Sequence, residues 1–313
     1  MNAVEREIYR HLFASVAEEM GVALMRSSFS PNIKERRDFS CAIFDAGAEM
    51  VAQAAHIPVH LGSTPLSVQA AIEAFDTIEP GQHVVLNDPY AGGTHLPDIT
   101  VVSPVWLGGE LRLYVANRAH HADVGGDTPG SLPLSRSIDD EGIRIGPTLW
   151  SVELEDEIAQ ASRTPDERRG DLRAQLAANR RGIERLEGQW ERRGADLMDA
   201  ARELQDYSES YMRSRIAEMP TGSWEFSDVL DGDGFDSGPL EIHCRLSIDD
   251  QTITADFTET CDQTDGPVNV PRAVTMSAVL YVLRCLAPKS LPPNGGYMRC
   301  ADVVTRTGSL VDA

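Results

Sequence analysis

Residues 83–123 read HVVLNDPYAGGTHLPDITVVSPVWLGGELRLYVANRAHHAD, and the pattern in this stretch decides the fold class. His83 to Leu86 is a short apolar run ended by the turn-forming cluster Asn87-Asp88-Pro89-Tyr90-Ala91-Gly92-Gly93. Ile99 to Trp106 and Leu111 to Asn117 are rich in β-branched and aromatic residues and flank Gly108-Gly109. Two adjacent glycines between such runs are the signal of a two-residue hairpin loop. With that loop, Leu107 faces Glu110, and counting outward sets Asp98 opposite Ala119 and beside His120. The open end of the hairpin therefore gathers His95, Asp98 and His120. Pro104 inside the outgoing strand cannot donate to a ladder, so the strand must have an edge or a bulge there.

Working outward, residues 2–28 carry apolar side chains at three and four spacing and read as one helix. Asp38 to Phe44, a turn at Asp45-Ala46-Gly47, and Glu49 to Ala54 read as a second hairpin. A polar loop with His56 and His60 leads to Ser63-Thr64-Pro65, an N-cap followed by proline at the first helical position, opening a helix to about Phe75. In 171–219, Leu172, Leu176, Ile183, Leu186, Trp190, Leu197, Ala201, Leu204 and Tyr211 form a near-heptad seam, which Gly194 divides into two helices. Packing explains that stripe without a cofactor. In the last third, Leu240, Ile242, Cys244, Leu246 and Ile248 alternate strictly, Asp249-Asp250-Gln251 turns, and Ile253, Ala255 and Phe257 alternate again. Val274 to Leu286 reads as a helix. The expected fold is α+β, in three parts: a hairpin-rich metal-site domain (1–150), a helical segment (151–220) and a β-rich part (221–313).

Composition bounds the function. A net charge of −21 argues against nucleic acid, whose affinity comes from neutralising phosphates with Lys and Arg. Lysine occurs only at Lys34 and Lys289, neither within a glycine-rich loop, and no GxxxxGK[ST] motif is present, so hydrolysis of ATP by this chain alone is not expected. Five widely spaced cysteines without a CxxC pair argue against a disulfide framework and a zinc ribbon. No run approaches the ~20 apolar residues of a membrane span. Glu5 and Glu7 lie inside the first amphipathic pattern, which is not that of a signal peptide, and a cytoplasmic location is expected.

Imidazole nitrogen with carboxylate oxygen is the donor set of Zn²⁺, Mn²⁺ or Fe²⁺. His95, Asp98 and His120 are the candidate ligands, with Asp38 a candidate fourth that the hairpin does not place. From spacing alone, a metal site and a satisfied polar cluster stand level. His121, Asp123 and His60 are the candidate catalytic residues, and the Gly92-Gly93 and Gly125-Gly126 pairs read as turn chemistry. Arg36-Arg37 and Arg118 fit either a carboxylate or phosphate contact or a solvated ion pair.

The segments Arg26 to Ser40, His56-Ile57-Pro58-Val59-His60-Leu61-Gly62-Ser63, Asn87 to Asp98, and His120-His121-Ala122-Asp123-Val124-Gly125-Gly126 resemble hydantoinase B of the hydantoinase B/5-oxoprolinase family. Glu141 to Ile145, Asn179 to Gly182, Asp265 to Asn269 and Asn294-Gly295-Gly296 follow in the same order, so the resemblance covers nearly the whole chain. That family holds ATP-dependent hydantoinases, 5-oxoprolinases, a lactamase branch, and the metal-bearing subunits of acetone and acetophenone carboxylases. The resemblance implies a divalent metal on Asp38, His95, Asp98 and His120, three of which the hairpin reaches independently. It also implies a hetero-oligomer with a hydantoinase A-like subunit that uses ATP, and a cyclic amide as substrate. Its alternatives are the ketone carboxylase branch and a non-catalytic assembly subunit with a structural metal. Family chains run ~200 residues or more beyond the Asn294-Gly295-Gly296 region, so the sequence is a piece of such a chain or one part of a split subunit.

Overall fold

The computed structural model describes every residue except Ala55, His56 and Asp236, so the polar-loop position His56 lies outside the described residues. Helix α1 (Ala3–Ser27) opens on a reciprocal cap: the Asn2 side chain accepts the N–H of Val4 and Glu5, while the Glu5 carboxylate accepts the N–H of Asn2. A short helix α2 (Pro31–Lys34) leads into β1 (Phe39–Asp45) and β2 (Met50–Gln53). Their turn is fixed by the Asp45 carboxylate, which accepts from Gly47 and Glu49. Next come α3 (His60–Glu73), β3 (Val84–Leu86), β4 (Asp98–Leu107), β5 (Glu110–His120) and β6 (Thr148–Leu149). Three helices follow, α4 (Val152–Ala161), α5 (Pro165–Arg193) and α6 (Asp196–Ala217), with Gly194 at the break between the last two. The remainder is β7 (Gly222–Leu230), β8 (Leu240–Asp249), β9 (Thr252–Asp256), α7 (Arg272–Leu286), α8 (Gly295–Met298) and β10 (Ala301–Val304). The fold is α+β, as expected. Among the described residues no helix is long and apolar enough to cross a membrane.

Six strands form one sheet in the order β2-β1-β5-β4-β3-β6, every pairing antiparallel. Both of its faces are covered. On one, Phe13, Val16, Met20 and Leu24 of α1 and Ala178 and Leu186 of α5 pack on Cys41, Ile43, Val105 and Val115. On the other, Val68 and Ala71 of α3 and Leu280 and Leu283 of α7 pack on Phe44, Val102 and Tyr114, joined by Ile248 and Ile253 of the second sheet. Double coverage explains why β1 and β4 are buried almost without alternation, as in sheets clad on two sides. The second sheet runs β10-β9-β8-β7, with β10 parallel to β9 and the other pairs antiparallel.

The central hairpin forms on Gly108 and Gly109, both at positive φ (63° and 84°), as a two-residue turn of this hand requires. Leu107 faces Glu110 as read from the sequence, but a bulge between Val105 and Trp106 shifts the register by one residue. Asp98 therefore faces His120 directly, not Ala119. A bulge admits an extra residue on one strand and so re-aims everything beyond it. Pro104 sits one residue before this bulge and past Val102, the last residue of β4 paired with β3.

Helix α3 begins five residues earlier than its sequence signals imply, at His60 instead of Pro65, which lies inside it. Ser63 is not the cap; its hydroxyl donates to the Val59 carbonyl (3.0 Å). Capping comes from α7 instead: the Gly62 N–H donates to the Ser277 hydroxyl (3.2 Å), which in turn bonds the Val59 carbonyl (2.6 Å). Helix α5 presents more to the sheet than its apolar seam. Gln175 and Asn179, both fully buried, bond across it. The Gln175 amide donates to the Ile99 carbonyl (2.8 Å) and the Asn117 side chain (2.9 Å), and Asn179 donates to the Val101 carbonyl (3.0 Å) and the Ser103 hydroxyl (2.8 Å).

Candidate metal centre

Asp98 is the first residue of β4, His120 the last of β5, and their direct pairing puts both at the open end of the hairpin. His95 is carried back onto them by the tight turn His95-Leu96-Pro97, closed by the Asp98 N–H on the His95 carbonyl (3.0 Å). The donor atoms of His95, Asp98 and His120 all lie within 4.8 Å of one another. His95 Nε2 is 3.1 Å from His120 Nδ1, and that same nitrogen is 3.1 Å from Asp98 Oδ1. The turn before His95 needs Gly92, whose φ of 79° and close approach to the backbone of Leu66 and Ser67 leave no room for a Cβ. That accounts for Gly92-Gly93 as turn chemistry.

Strand β1 pairs with β5 so that Phe39 faces Ala119, and the His120 N–H bonds the Asp38 carbonyl (3.0 Å). Asp38 is thereby set beside His120 and lines the same cavity, although its carboxylate is outside the three-residue donor group. His60, at the start of α3, also reaches this cluster. Its Nε2 is 3.3 Å from Asp98 Oδ2 and its Nδ1 2.8 Å from the Ser40 hydroxyl. The Thr94 hydroxyl also donates to Asp98 Oδ2, so this oxygen is occupied while Oδ1 faces His120.

Burial opposes charge on Asp98, but His95 and His60 beside it and hydrogen bonds from His120 and His60 outweigh it and hold the carboxyl well below the usual range. His120 shows the reciprocal effect: burial would lower it, yet the hydrogen bond and charge of Asp98, followed by the charge of Asp38, raise it. His95 is lowered, because burial outweighs Asp98 there. Arg118 is not a solvated ion-pair residue. It is fully buried, and it donates to the hydroxyls of Thr100 (2.9 Å), Ser67 (2.6 Å) and Ser63 and to the Gly92 carbonyl (3.3 Å).

These residues suit a divalent transition ion. Two imidazole nitrogens and one carboxylate oxygen converge, the carboxyl favours its ionised form, and His120 Nε2 is engaged by the Ser131 hydroxyl (3.0 Å). An outer partner of this kind orients the ring, with Nδ1 on the side of Asp98 and His95.

His121 and Asp123 are placed elsewhere. His121 is fully buried, with Nε2 on the Gln175 carbonyl oxygen (2.9 Å), and burial followed by the charge of Arg168 pushes its pKa down to about 4. Asp123 accepts from the Gly125 N–H (3.0 Å), the Arg163 N–H (2.6 Å) and the Arg163 guanidinium (3.0 Å). Neither borders the cavity, which His60, His95, Asp98, His120 and Asp38 do. Its volume is about 870 Å³. Two loops that sequence reasoning gives no role, Ser131 to Ile138 and Gln263 to Pro271, also line it. Only their Gly, Pro and Ser content is visible in the sequence, and that signals turns rather than chemistry.

Comparison with known proteins identifies the family. The model of the family "Hydantoinase B/oxoprolinase" matches residues 2–313. The chain is 37% identical to the 5-oxoprolinase PfmaA of Pestalotiopsis fici, over 100% of this chain and 26% of that protein. It is 36% identical to 5-oxoprolinase 1 of Arabidopsis thaliana, over 99% of this chain and 27% of that one. Among solved structures, the ATP-dependent caprolactamase of Pseudomonas jessenii superimposes with a TM-score of 0.93 at 27% identity, covering 100% of this chain and 56% of that chain. The chain thus spans about a quarter to about half of the length of these relatives. With the family model matched from end to end, the chain belongs to the hydantoinase B/oxoprolinase family.

Proposed function

We propose that the chain is the metal-dependent hydrolytic part of an ATP-dependent cyclic-amide hydrolase of hydantoinase, 5-oxoprolinase or lactamase type. In this reading it works in a cytoplasmic hetero-oligomer with a hydantoinase A-like partner that binds ATP. The observation that carries the proposal is the convergence of His95, Asp98 and His120 donor atoms within 4.8 Å at a cavity wall. Support for a cyclic amide comes from the activities for which the relatives are named, and support for an ATP-using partner from the lack of a phosphate-binding loop in this sequence.

Zn²⁺ or Mn²⁺, with Fe²⁺ a third choice, would supply a Lewis acid beside the substrate carbonyl and lower the pKa of water towards ~7. The protein's part is to hold the donors in place. Thr94 and His60 tie down Asp98 Oδ2 and leave Oδ1 directed at His120. Ser131 orients His120, and Asp38, beside it on the wall, would complete the donor set. His60 would then act by positioning Asp98. His121 and Asp123 would act through what they anchor: His121 fixes the end of β5 to α5, and Asp123 fixes Arg163 to the loop after β5.

The test is a substrate panel on the complex reconstituted with its ATP-using partner: hydantoins, 5-oxoproline, lactams and simple ketones, with and without bicarbonate. Ring-opened acid, ADP and phosphate, independent of bicarbonate, are expected. ATP consumption that needs ketone and bicarbonate, with no cyclic amide accepted, would replace this reading with the carboxylase one.

A further inference from the structure

The cavity that holds the donor cluster is also lined by an arginine. Among the described residues that line it, Arg136 is the only Arg or Lys, whereas Asp38, Asp98, Glu141 and Asp265 are acidic. Glu141 is already engaged by the Ser135 hydroxyl (2.7 Å), and Asp98 is surrounded by histidines. The Arg136 guanidinium lies 4.1 Å above the Phe235 ring, a stacking that holds its plane. Among the described residues its one ionic contact, to Asp265, is long (3.5 Å) and joins two largely exposed side chains. Exposed pairs of that kind are weak, so a bidentate carboxylate can displace Asp265.

The loop that carries Asp265 is braced. The Asn269 amide bonds the Thr264 (2.6 Å) and Gly266 (3.1 Å) carbonyls, and the Asp233 carboxylate accepts from the Gly266 N–H (3.1 Å) and the Thr264 hydroxyl. Asp265 is thus presented from a braced loop, and Arg136, stacked on Phe235, lines the same cavity as the donor cluster.

We infer that Arg136 is the specificity-determining residue of this site, recognising a carboxylate on the ring of the cyclic amide, with Asp265 standing in for that carboxylate when no substrate is bound. The inference rests on the proposed function and narrows its substrate class to carboxylate-bearing rings over neutral ones.

Two readouts test it, each with 5-oxoproline and the neutral ring 2-pyrrolidinone. In the reconstituted complex, Arg136→Gln is expected to raise the KM for 5-oxoproline by roughly ten- to a hundredfold, the worth of a hydrogen-bonded charge, with kcat and the neutral lactam little changed. Arg136→Lys should recover part of the loss, and Asp265→Asn should lower the KM for 5-oxoproline. Calorimetric titration of the chain supplied with Zn²⁺ should show the same order of affinities without turnover. Equal effects of Arg136→Gln on both rings, or none on either, would overturn the inference. If no cyclic amide is turned over while binding still discriminates through Arg136, the proposed function fails and the recognition site stands.

Discussion

Replacing Gln175 by methionine, which keeps the length and shape of the side chain, removes three buried hydrogen bonds at once. The amide nitrogen donates to the Ile99 carbonyl and the Asn117 side chain, and the amide oxygen bonds His121 Nε2. All three partners are fully buried, so none regains a bond from solvent. An unmade buried hydrogen bond costs ~1–3 kcal/mol. Partial relaxation around the thioether reduces the sum, and a loss of about 3–5 kcal/mol is expected. Urea unfolding at pH 7.5, followed by far-UV circular dichroism, reads this as a lower midpoint at unchanged slope. Gln69→Met is the control: that side chain bonds Glu73 on the exposed face of α3, and a change within about 0.5 kcal/mol is expected. A loss below about 1 kcal/mol for Gln175→Met would refute the reasoning that buried amides of α5 pin the hairpin.

Two shorter predictions concern pH and nucleotide. Burial, followed by the charge of Arg180, pushes the His83 pKa down from 6.5 to about 4, so between those values the unfolded chain takes up a proton that the native chain refuses. Its contribution is intact above pH 6.5 and lost as pH falls towards about 4, by up to about 3 kcal/mol; His83→Gln, which can keep a bond to Ser103, should flatten stability against pH in that window, and an unchanged slope would count against it. The isolated chain should neither hydrolyse nor tightly bind ATP, and hydrolysis by preparations free of the partner would overturn the division of labour.

The hairpin is legible in the sequence because its information is local. Gly108-Gly109 sets the turn, and the apolar runs beside it set the strands, so Asp98 and His120 meet at the open end. Pro104 signals an edge or a bulge in this strand but not its size or side, and the bulge at Val105/Trp106 alone converts a diagonal neighbour into a direct pair. The start of helix α3 is displaced by five residues from its sequence signals because its capping hydroxyl, Ser277, lies on α7 far along the chain, while Ser63-Thr64-Pro65 imitates a local cap. Gln175 and Asn179 lie outside the apolar seam of α5, and nothing in the periodicity distinguishes an amide facing water from one bonded to a buried strand. Arg118 misleads for the same reason, since its partners Ser63, Ser67 and Thr100 come from separate elements. Asp38 becomes a neighbour of His120 only through the pairing of β1 with β5, which no local rule fixes. The loops Ser131 to Ile138 and Gln263 to Pro271 join the site through tertiary packing alone.

The most direct test of the metal centre is elemental analysis of chain purified without chelator, beside three variants. About one transition ion per chain is expected for the wild type. His95→Ala and Asp98→Ala should each lose the ion, because each removes one of three converging donors. His243→Ala, which changes a histidine on β8 outside that donor group, should keep it. Full occupancy in both His95→Ala and Asp98→Ala, or no ion in a wild-type chain supplied with Zn²⁺ and Mn²⁺, would contradict a metal site at the end of this hairpin.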